Sequence, residues 1–593
     1  MKATENRVNH YHKVVDCQYA CPAHTPVPEY IRLIAAGRYT EAYMVNWESN
    51  VFPGILGRVC DRPCEPACRR GRIEGDAEEP VAICRLKRVA ADNKDSIEAF
   101  MPAIPSKKNG KRVALIGAGP ASLTVARDLA PEGYSITLFD RENKAGGMMR
   151  TQIPQFRLPP EVIDEETNRI LAMDIDYRPD TEIHSLKAVL DEGFDAVFIG
   201  TGAPKGRDLN IDGREQGANN IHIGIEFLAN VAFDHVNAIG RKVIVLGGGN
   251  TAMDCCRTAR RIGGTDVKVV VRSPFKEMKA SPWEIDDAKG EDIPMFENHV
   301  PKAFVVEDGK LVAMRFEKVN AVYDEKGRRT LVPTGEDLVT MECDDVIIAI
   351  GQDNSFPWIE SDLGIQVNRW DMPEVDKVTF QTSLPTVFVG GDAAWGPTNV
   401  ITAVAHGHKA AISIDKFLKG EDLTQRPDPR HTLVSQKMGV HEWSYHNAVS
   451  DDERFAVPHV EKALALKDRR VEVELGFNQE LGYLETQRCL NCDVQTVFFE
   501  EKCIECDACE DICPMDCINF LPEQENETVA RESLRIPATN AAQDLFVSGH
   551  LKTARQMIKD EDVCVHCGMC AERCPTGAWD MQKFLFNEAQ VGK

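Results

Sequence analysis

No stretch of the 593-residue chain approaches the ~18 consecutive apolar residues that a membrane-crossing helix needs, so no membrane insertion is expected. The opening residues, MKATENRVNHYHK, carry no apolar core. A secretory signal or anchor is therefore not expected there, and the expected compartment is the cytoplasm. Positive charge is scarce as well: 69 Lys and Arg stand against 93 Asp and Glu, a net charge of −24. That argues against nucleic acid as a partner and suits a solvated surface that docks on a basic protein. Neither an HExxH zinc motif nor a Ser–His–Asp signature is present, so no hydrolytic machinery is expected. The middle of the chain is nearly empty of cysteine. Of 20, six lie in the first 84 residues and eleven beyond residue 488, with Cys255, Cys256 and Cys343 between. Without a secretory signal, such clustering points to metal at both ends in a reducing compartment rather than to disulfides.

The length allows three or four domains of about 150 residues. Residues 1–105 read as helical, with amphipathic stretches PEYIRLIAAGRYTEAYMVNW and PVAICRLKRVAAD. A linker rich in Pro, Gly and Lys follows. Two strand–glycine turn–helix units then recur, KRVALIGAGPASLTVARDLA and RKVIVLGGGNTAMDCCRTARRI. The expected class is α/β. It comprises two Rossmann-like domains, for FAD (106–235 with 376–420) and for NAD(P) (236–375), between a helical Fe–S domain (1–105) and an α+β bacterial-type ferredoxin domain (486–593). Residues 421–485 read as a wrapping extension.

In GAGPAS, Gly117 permits the tight turn and Gly119 lets backbone approach a pyrophosphate at the helix N-terminus, with Pro120 opening the helix and Ser122 in the third glycine's place. Asp140 ends the next strand, where an acid accepts ribose hydroxyls. Gly146 and Gly147 follow in AGGMM, and Arg157 lies in IPQFRLP. Gly391 and Asp392, after Gly390, sit between a strand and an Ala-rich helix and are candidates for the ribityl or pyrophosphate part of the flavin. In GGGNTAMD, Gly247 and Gly249 repeat the turn, with Asn250 and Thr251 opening the helix and Asp254 within its first turns. The next strand ends on Arg272, a cation suited to a 2′-phosphate. Ser273 and Pro274 follow it, and Lys276 is either a second cation or a surface residue. His406 and His408, near the flavin motif, are candidates to touch the isoalloxazine, but a structural role on a helix face is the expectation.

The cysteine runs are the most specific signal. Cys503, Cys506, Cys509 and Cys513, then Cys564, Cys567, Cys570 and Cys574, each form C-x2-C-x2-C-x3-C before proline. In this two-cluster spacing each fourth cysteine serves the other cluster. One [4Fe–4S] cluster should therefore use Cys503, Cys506, Cys509 and Cys574, and the other Cys564, Cys567, Cys570 and Cys513. Zinc prefers paired CxxC units and is disfavoured. Cys489 and Cys492 form a further CxxC: half of another site, a zinc or cluster partner to Cys517, or simply buried thiols, with no separate cluster expected. The N-terminal six, Cys17, Cys21, Cys60, Cys64, Cys68 and Cys84, suffice for one four-ligand cluster with two spare.

CxxxCP at Cys17–Pro22, GRVCDRPCEPAC at Gly57–Cys68, GAGPAS, IPQFRLP, GGGNTAMD, EMKA and GGDAAWGP, in this order, resemble the small subunit of NADPH-dependent glutamate synthase and its relatives over about residues 15–420. That family usually carries two N-terminal clusters and two further cysteines before CxxxCP. Those are missing here, so the resemblance implies one surviving cluster on Cys21, Cys60 and Cys64, with Cys84 in the place of the family's polar fourth ligand. Cys17 and Cys68 then belong to an incomplete site. NADP-dependent members show two adjacent arginines where this chain has Arg272–Ser273, which tilts the nucleotide towards NAD(H). The added ferredoxin domain resembles electron-transfer subunits of NAD-reducing 2-oxoacid (phenylglyoxylate-type) oxidoreductase complexes. The expectation is an FAD-dependent NAD(P)H oxidoreductase subunit with no acid–base catalytic residues, moving electrons between NAD(P)(H), FAD and [4Fe–4S] clusters and serving a catalytic partner subunit that supplies or drains them by ferredoxin-like exchange. A glutamate synthase small subunit and a stand-alone NAD(P)H:ferredoxin oxidoreductase are the alternatives.

Overall fold

The structure is a computed structural model that describes residues 1–5, 7–73, 79–436, 449–537 and 540–592. It divides into two compact units. One comprises residues 102–425, 459–475 and 590–593, the other residues 1–101, 426–458 and 476–589.

The first unit is built on two five-stranded parallel sheets. In one, the strands run Val387–Val389, Ala196–Ile199, Arg112–Ile116, Ser135–Phe139, Asp176–Arg178. In the other they run Ile221–Ile223, Asp345–Ile348, Lys242–Leu246, Asp266–Val270, Met295–Phe296. Strands such as RVALI and KVIVL are buried on both faces after their first residue, as parallel strands covered by helices must be. In each sheet the central strand is followed by a helix, Pro120–Leu129 or Asn250–Arg261, that returns over the sheet. Ile221–Ile223 pairs with Asp345–Ile348, so the second sheet recruits a strand upstream of the boundary expected at residue 236. An antiparallel group, His299–Glu307, Lys310–Tyr323, Arg329–Pro333 and Val339–Glu342, is inserted before its last central strand.

The second unit joins the two cysteine-rich ends. Its N-terminal part packs the helices Val27–Ala35, Tyr39–Asn50, Pro53–Val59 and Ile83–Asn93. Gly57 is obligatory between two of them, because a Cβ there would stand 2.8 Å from the Arg88 backbone. The C-terminal part contributes to two three-stranded antiparallel sheets and carries the short helices Ala508–Ile512, Glu527–Glu532 and Met569–Arg573. A single apolar cluster holds Tyr30, Tyr43, Trp47 and Leu86 from one end with Val497, Phe584 and Phe586 from the other. The two ends thus share a core.

The extension at 421–485 is divided. Arg430–Ser435 adds an edge strand to Trp579–Asn587, and Gln479–Thr486 packs on Val27–Ala35 and Ile83–Asn93. Residues 459–475 join the other unit, and residues 437–448 lie outside the described ones. No described helix is long and apolar enough to cross a membrane.

Candidate nucleotide and cluster sites

The glycine turns stand where the central parallel strands end. In the first sheet the chain proceeds from Arg112–Ile116 to a neighbour on one side and later to one on the other, which opens a crevice at the strands' C-terminal ends. Gly117 adopts φ +91°, and a Cβ on it would lie 2.8 Å from the Gly200 carbonyl oxygen. Gly119 caps the helix that Pro120 opens. Gly147, at φ +52°, crosses directly behind it, with its Cβ position 2.8 Å from the Gly119 Cα. Gly146 N–H donates to the Ala118 carbonyl at 2.9 Å. Ser122, in the third glycine's place, is fully buried against Gly200, whose own Cβ position would fall 2.2 Å from the Ser122 Oγ. The helix therefore packs as closely as a glycine would allow, because the missing volume is supplied by Gly200.

The Asp140 carboxylate accepts from the Ala118 N–H at 2.5 Å and the Glu142 N–H at 2.8 Å, which fixes the turn. Burial pushes its pKa above the usual carboxylate range, against those two N–H donors. Gly391, at φ +63°, brings its turn onto Ala121, 3.1 Å from its Cβ position. Asp392 accepts from the Thr398 N–H and hydroxyl, each at 2.8 Å. His408 bonds the buried Asp128 at 2.6 Å, a structural contact. His406 lies between Trp395 and Phe380, with ring centroids 4.9 and 5.3 Å away. Burial holds its pKa down at about 4, so the ring is neutral.

At the second turn Gly247 adopts φ +136° with its Cβ position 2.1 Å from the Ala349 carbonyl oxygen. A Cβ on Gly249 would meet nothing within 4 Å, which leaves open space over the N-terminus of Asn250–Arg261. An anion fits such a helix end. Asn250 accepts from the Ser281 N–H at 2.8 Å, and Gln352 donates to the Thr251 hydroxyl at 3.5 Å. Arg272 is exposed just past its strand. Beside it, Arg329 donates to the Ser273 hydroxyl at 2.6 Å and pairs with Glu277. Lys276 lies over the Tyr323 ring. Arg157 does not stand free for a ligand. It bonds Asp254 at 2.6 Å and Glu284 on its other nitrogen, tying the flavin-side segment to the nucleotide-side helix.

Three further polar side chains gather near these turns: Thr201, Gln352 and Asn354. Their Thr201 Oγ1, Gln352 Oε1 and Asn354 Oδ1 atoms are buried without a hydrogen-bond partner among the described residues. Buried polar atoms left in that state are costly unless a ligand or water meets them. Thr201 follows Gly200, and Asn354 donates to the Asp392 and Ala393 carbonyls. No sequence motif singled them out. Their signal is position alone, two to six residues past a buried parallel strand.

In the other unit, Cys503, Cys506, Cys509 and Cys574 line one pocket with Phe498, Phe520 and Trp579. This is the cross-linked set that the spacing predicts. Cys567 stands near Cys564 and Cys513, and Cys570 near Cys564 and Cys567, the remaining set. Cys517, beyond the motif, sits 3.5 Å from Cys513. At the N-terminal end, Cys21, Cys60, Cys64 and Cys84 surround the buried Lys87 ammonium. Burial works against that charge, yet the four thiols raise its pKa above the ordinary value. Lys87 also donates to Asn50 at 2.6 Å. A buried cation beside four thiols suits a negatively charged cluster. Cys17 and Cys68 lie elsewhere, at a separate cavity.

Comparison with known proteins agrees with this division. A profile for pyridine nucleotide-disulphide oxidoreductases matches residues 111–407. One for dihydropyrimidine dehydrogenase domain II, 4Fe-4S cluster, matches residues 7–99. One for a 4Fe-4S dicluster domain matches residues 502–578. The NADP(+)-dependent formate dehydrogenase subunit beta of Moorella thermoacetica is 34% identical over 507 residues, covering 80% of this chain and 70% of its own. The NADPH-Fe(3+) oxidoreductase subunit beta of Geobacter sulfurreducens is 32% identical over 517 residues, 81% of this chain and 76% of its own. The small chain of the Azospirillum brasilense NADPH glutamate synthase is 32% identical over 423 residues, 68% of this chain and 86% of its own.

Proposed function

The chain belongs to the pyridine nucleotide-disulphide oxidoreductase family, and from that premise we propose that it is the electron-transfer subunit of a larger redox complex. It takes FAD, NAD(P) and [4Fe–4S] clusters at both ends. The flavin, when bound, supplies the hydride chemistry and the change from two-electron to one-electron transfer. In that exchange the two electrons of the NAD(P)H hydride would leave singly towards a partner protein and its proton would pass to solvent. The partner supplies the substrate chemistry, as the subunit names of the relatives suggest.

The protein's own part is positioning. Gly117 and Gly119 bring backbone close to one pyrophosphate and Gly247 and Gly249 to the other, at helix N-termini. Asp140 holds the first turn in shape while offering a carboxylate at the strand end. Arg157, fixed on Asp254 and Glu284, sets the spacing of the two nucleotide sites. Neutral His406, set among Trp395 and Phe380, helps to exclude water next to the Gly391 turn.

One observation carries the reading. Two glycine-lined helix ends, the second with open space over it, and two ferredoxin-type sets of four cysteines occur in one chain that offers no further substrate machinery among its motifs. Anaerobic titration of the isolated chain tests it. NADH or NADPH should bleach the bound flavin, and an added ferredoxin-type acceptor should restore its colour. If neither nucleotide bleaches it, the proposal fails. If the isolated chain reduces a small metabolite with NAD(P)H, it is an enzyme in its own right rather than a subunit.

A further inference from the structure

Cys489 and Cys492, for which the spacing suggests no cluster, line the same cavity as Cys17 and Cys68. We propose that these four cysteines hold an additional [4Fe–4S] cluster whose ligands come half from each end of the chain. The two cysteines missing ahead of Cys17 are replaced by a pair more than 400 residues downstream.

The first support is the size of the cavity. The free space between its lining residues, open solvent included, is about 350 Å³, against about 290 Å³ in the pocket lined by Cys503, Cys506, Cys509 and Cys574.

The second is a backbone device. Two residues after Cys503, Glu505 adopts φ +56° and its N–H bonds the Cys503 Sγ at 3.4 Å. Two residues after Cys564, His566 adopts φ +53° and its N–H bonds the Cys564 Sγ at 3.5 Å. Arg62, at φ +55°, does the same for Cys60. Asn491, at φ +52°, does it for Cys489. Non-glycine residues at positive φ are uncommon and cost energy. The same strained residue at the same offset, with the same N–H···S bond, appears in the cysteine sets expected to hold clusters and again at Cys489. Cys68 likewise accepts from the Arg70 and Val81 N–H groups.

Third, the CLNCD segment is clamped in place. Arg32 donates to Asp493 at 2.7 Å and to Asn491 at 3.3 Å. Arg70 donates to the Arg488 carbonyl at 3.4 Å, and Arg488 in turn donates to the Glu79 carbonyl at 2.8 Å.

Fourth, the charge is right. Arg69 is fully buried next to Cys492 and donates to the Cys564 carbonyl at 3.2 Å. It therefore links this site to the ferredoxin-type set. On the other side, Cys17 and Cys68 are each four residues from Cys21 and Cys64 of the N-terminal set. The site closes a gap in the row.

A zinc ion is the competing occupant. Zn–S bonds of about 2.3 Å draw tetrahedral sulfurs to within about 4 Å of each other. Among the described residues no three of these Sγ atoms lie within 4.8 Å of one another, so the spread favours a cluster.

The inference adds to the electron route proposed above and rests on that reading for its use, but the ligand set is tested by metal content. The holoprotein, isolated without oxygen, is assayed for iron, labile sulfide and zinc. Four clusters give about 16 iron per chain and no zinc, three about 12. Replacing both residues, Cys489→Ser with Cys492→Ser, should remove about four iron and about a quarter of the integrated EPR spin of the reduced protein. Cys17→Ser with Cys68→Ser should do the same. About 12 iron in the unmodified protein, zinc in place of four iron, or an unchanged count in the Cys489/Cys492 variant overturns the assignment. Because the unmodified protein alone is decisive, a variant that misfolds leaves the test intact. Flavin bleaching by NAD(P)H in the same samples reports on the proposed function separately.

Discussion

Replacing Gly247 by alanine should disconnect the nicotinamide nucleotide while leaving the flavin and the clusters in place. Gly247 sits at φ +136°, a region open essentially to glycine alone, and its Cβ position is 2.1 Å from the Ala349 carbonyl oxygen, where ordinary contact begins at 3.4 Å. The turn must retreat by roughly 1.3 Å to admit the methyl group, the difference between those two distances. The backbone conformation costs about 1–3 kcal/mol and the overpacking about 1–3 kcal/mol more. A displacement near 1 Å in a positioning element lowers rate on the order of a hundredfold. The expected result is a fall of about 100-fold in kcat/KM for flavin reduction by NAD(P)H. Flavin and iron content and reduction by dithionite should be unchanged. Gly249→Ala is the companion variant. Its added Cβ meets nothing within 4 Å, so the thermal midpoint should hold while nucleotide affinity falls, because the methyl group occupies the open space over the helix end. Stopped-flow anaerobic reduction decides both. Wild-type rates in Gly247→Ala would refute the placement of the nucleotide at this turn.

Lys87→Met removes the buried cation among Cys21, Cys60, Cys64 and Cys84, so an EPR-monitored titration should show one cluster becoming harder to reduce; no change would mean that these thiols hold none. Arg157→Ala leaves the buried Asp254 without its hydrogen-bonded guanidinium, while Glu284 keeps Arg257 at 3.6 Å, and should cost about 3 kcal/mol, read as a lower unfolding midpoint. Arg272→Ala should raise the KM for NADPH more than that for NADH, and equal effects on both would place the exposed guanidinium away from a 2′-phosphate. His406 has a folded pKa of about 4 against an ordinary 6.5, so it favours folding fully above pH 6.5 and loses that contribution as pH falls towards 4. Flavin retention measured between pH 7 and 5 should therefore fall more steeply in the wild type than in His406→Gln.

The glycine turns were legible because everything that defines them is local. Strand, turn and helix follow one another within about twenty residues, and the φ values at Gly117 and Gly247 are those the motif requires. The ferredoxin-type cysteines were legible for the same reason, although the fourth cysteine of each run stands beside the other run. Thr201, Gln352 and Asn354 were not, since a single polar residue after a strand has no pattern until the fold sets it beside the others. Arg329 was missed because it reaches Ser273 from an antiparallel strand 56 residues on. Arg157 lay in a recognised motif, but its carboxylate partners come from helices about 100 and 130 residues further on, so its role as a tie rather than a free cation was hidden.

The cavity at Cys17, Cys68, Cys489 and Cys492 shows where residue patterns stop being informative. A cysteine count confined to the first 84 residues leaves two thiols unused, and one confined to the last hundred or so leaves another three: Cys517, which stands beside Cys513, and the pair Cys489 and Cys492. Only the shared core of Tyr30, Trp47, Val497 and Phe584 makes the two unused pairs a set of four. The device that marks the site is equally invisible in the sequence, because the left-handed position after the cysteine is filled by Arg62, Asn491, Glu505 and His566. These have no side-chain chemistry in common. What they share is a backbone N–H turned onto sulfur, a requirement of the site that many residue types can meet at a similar cost in strain.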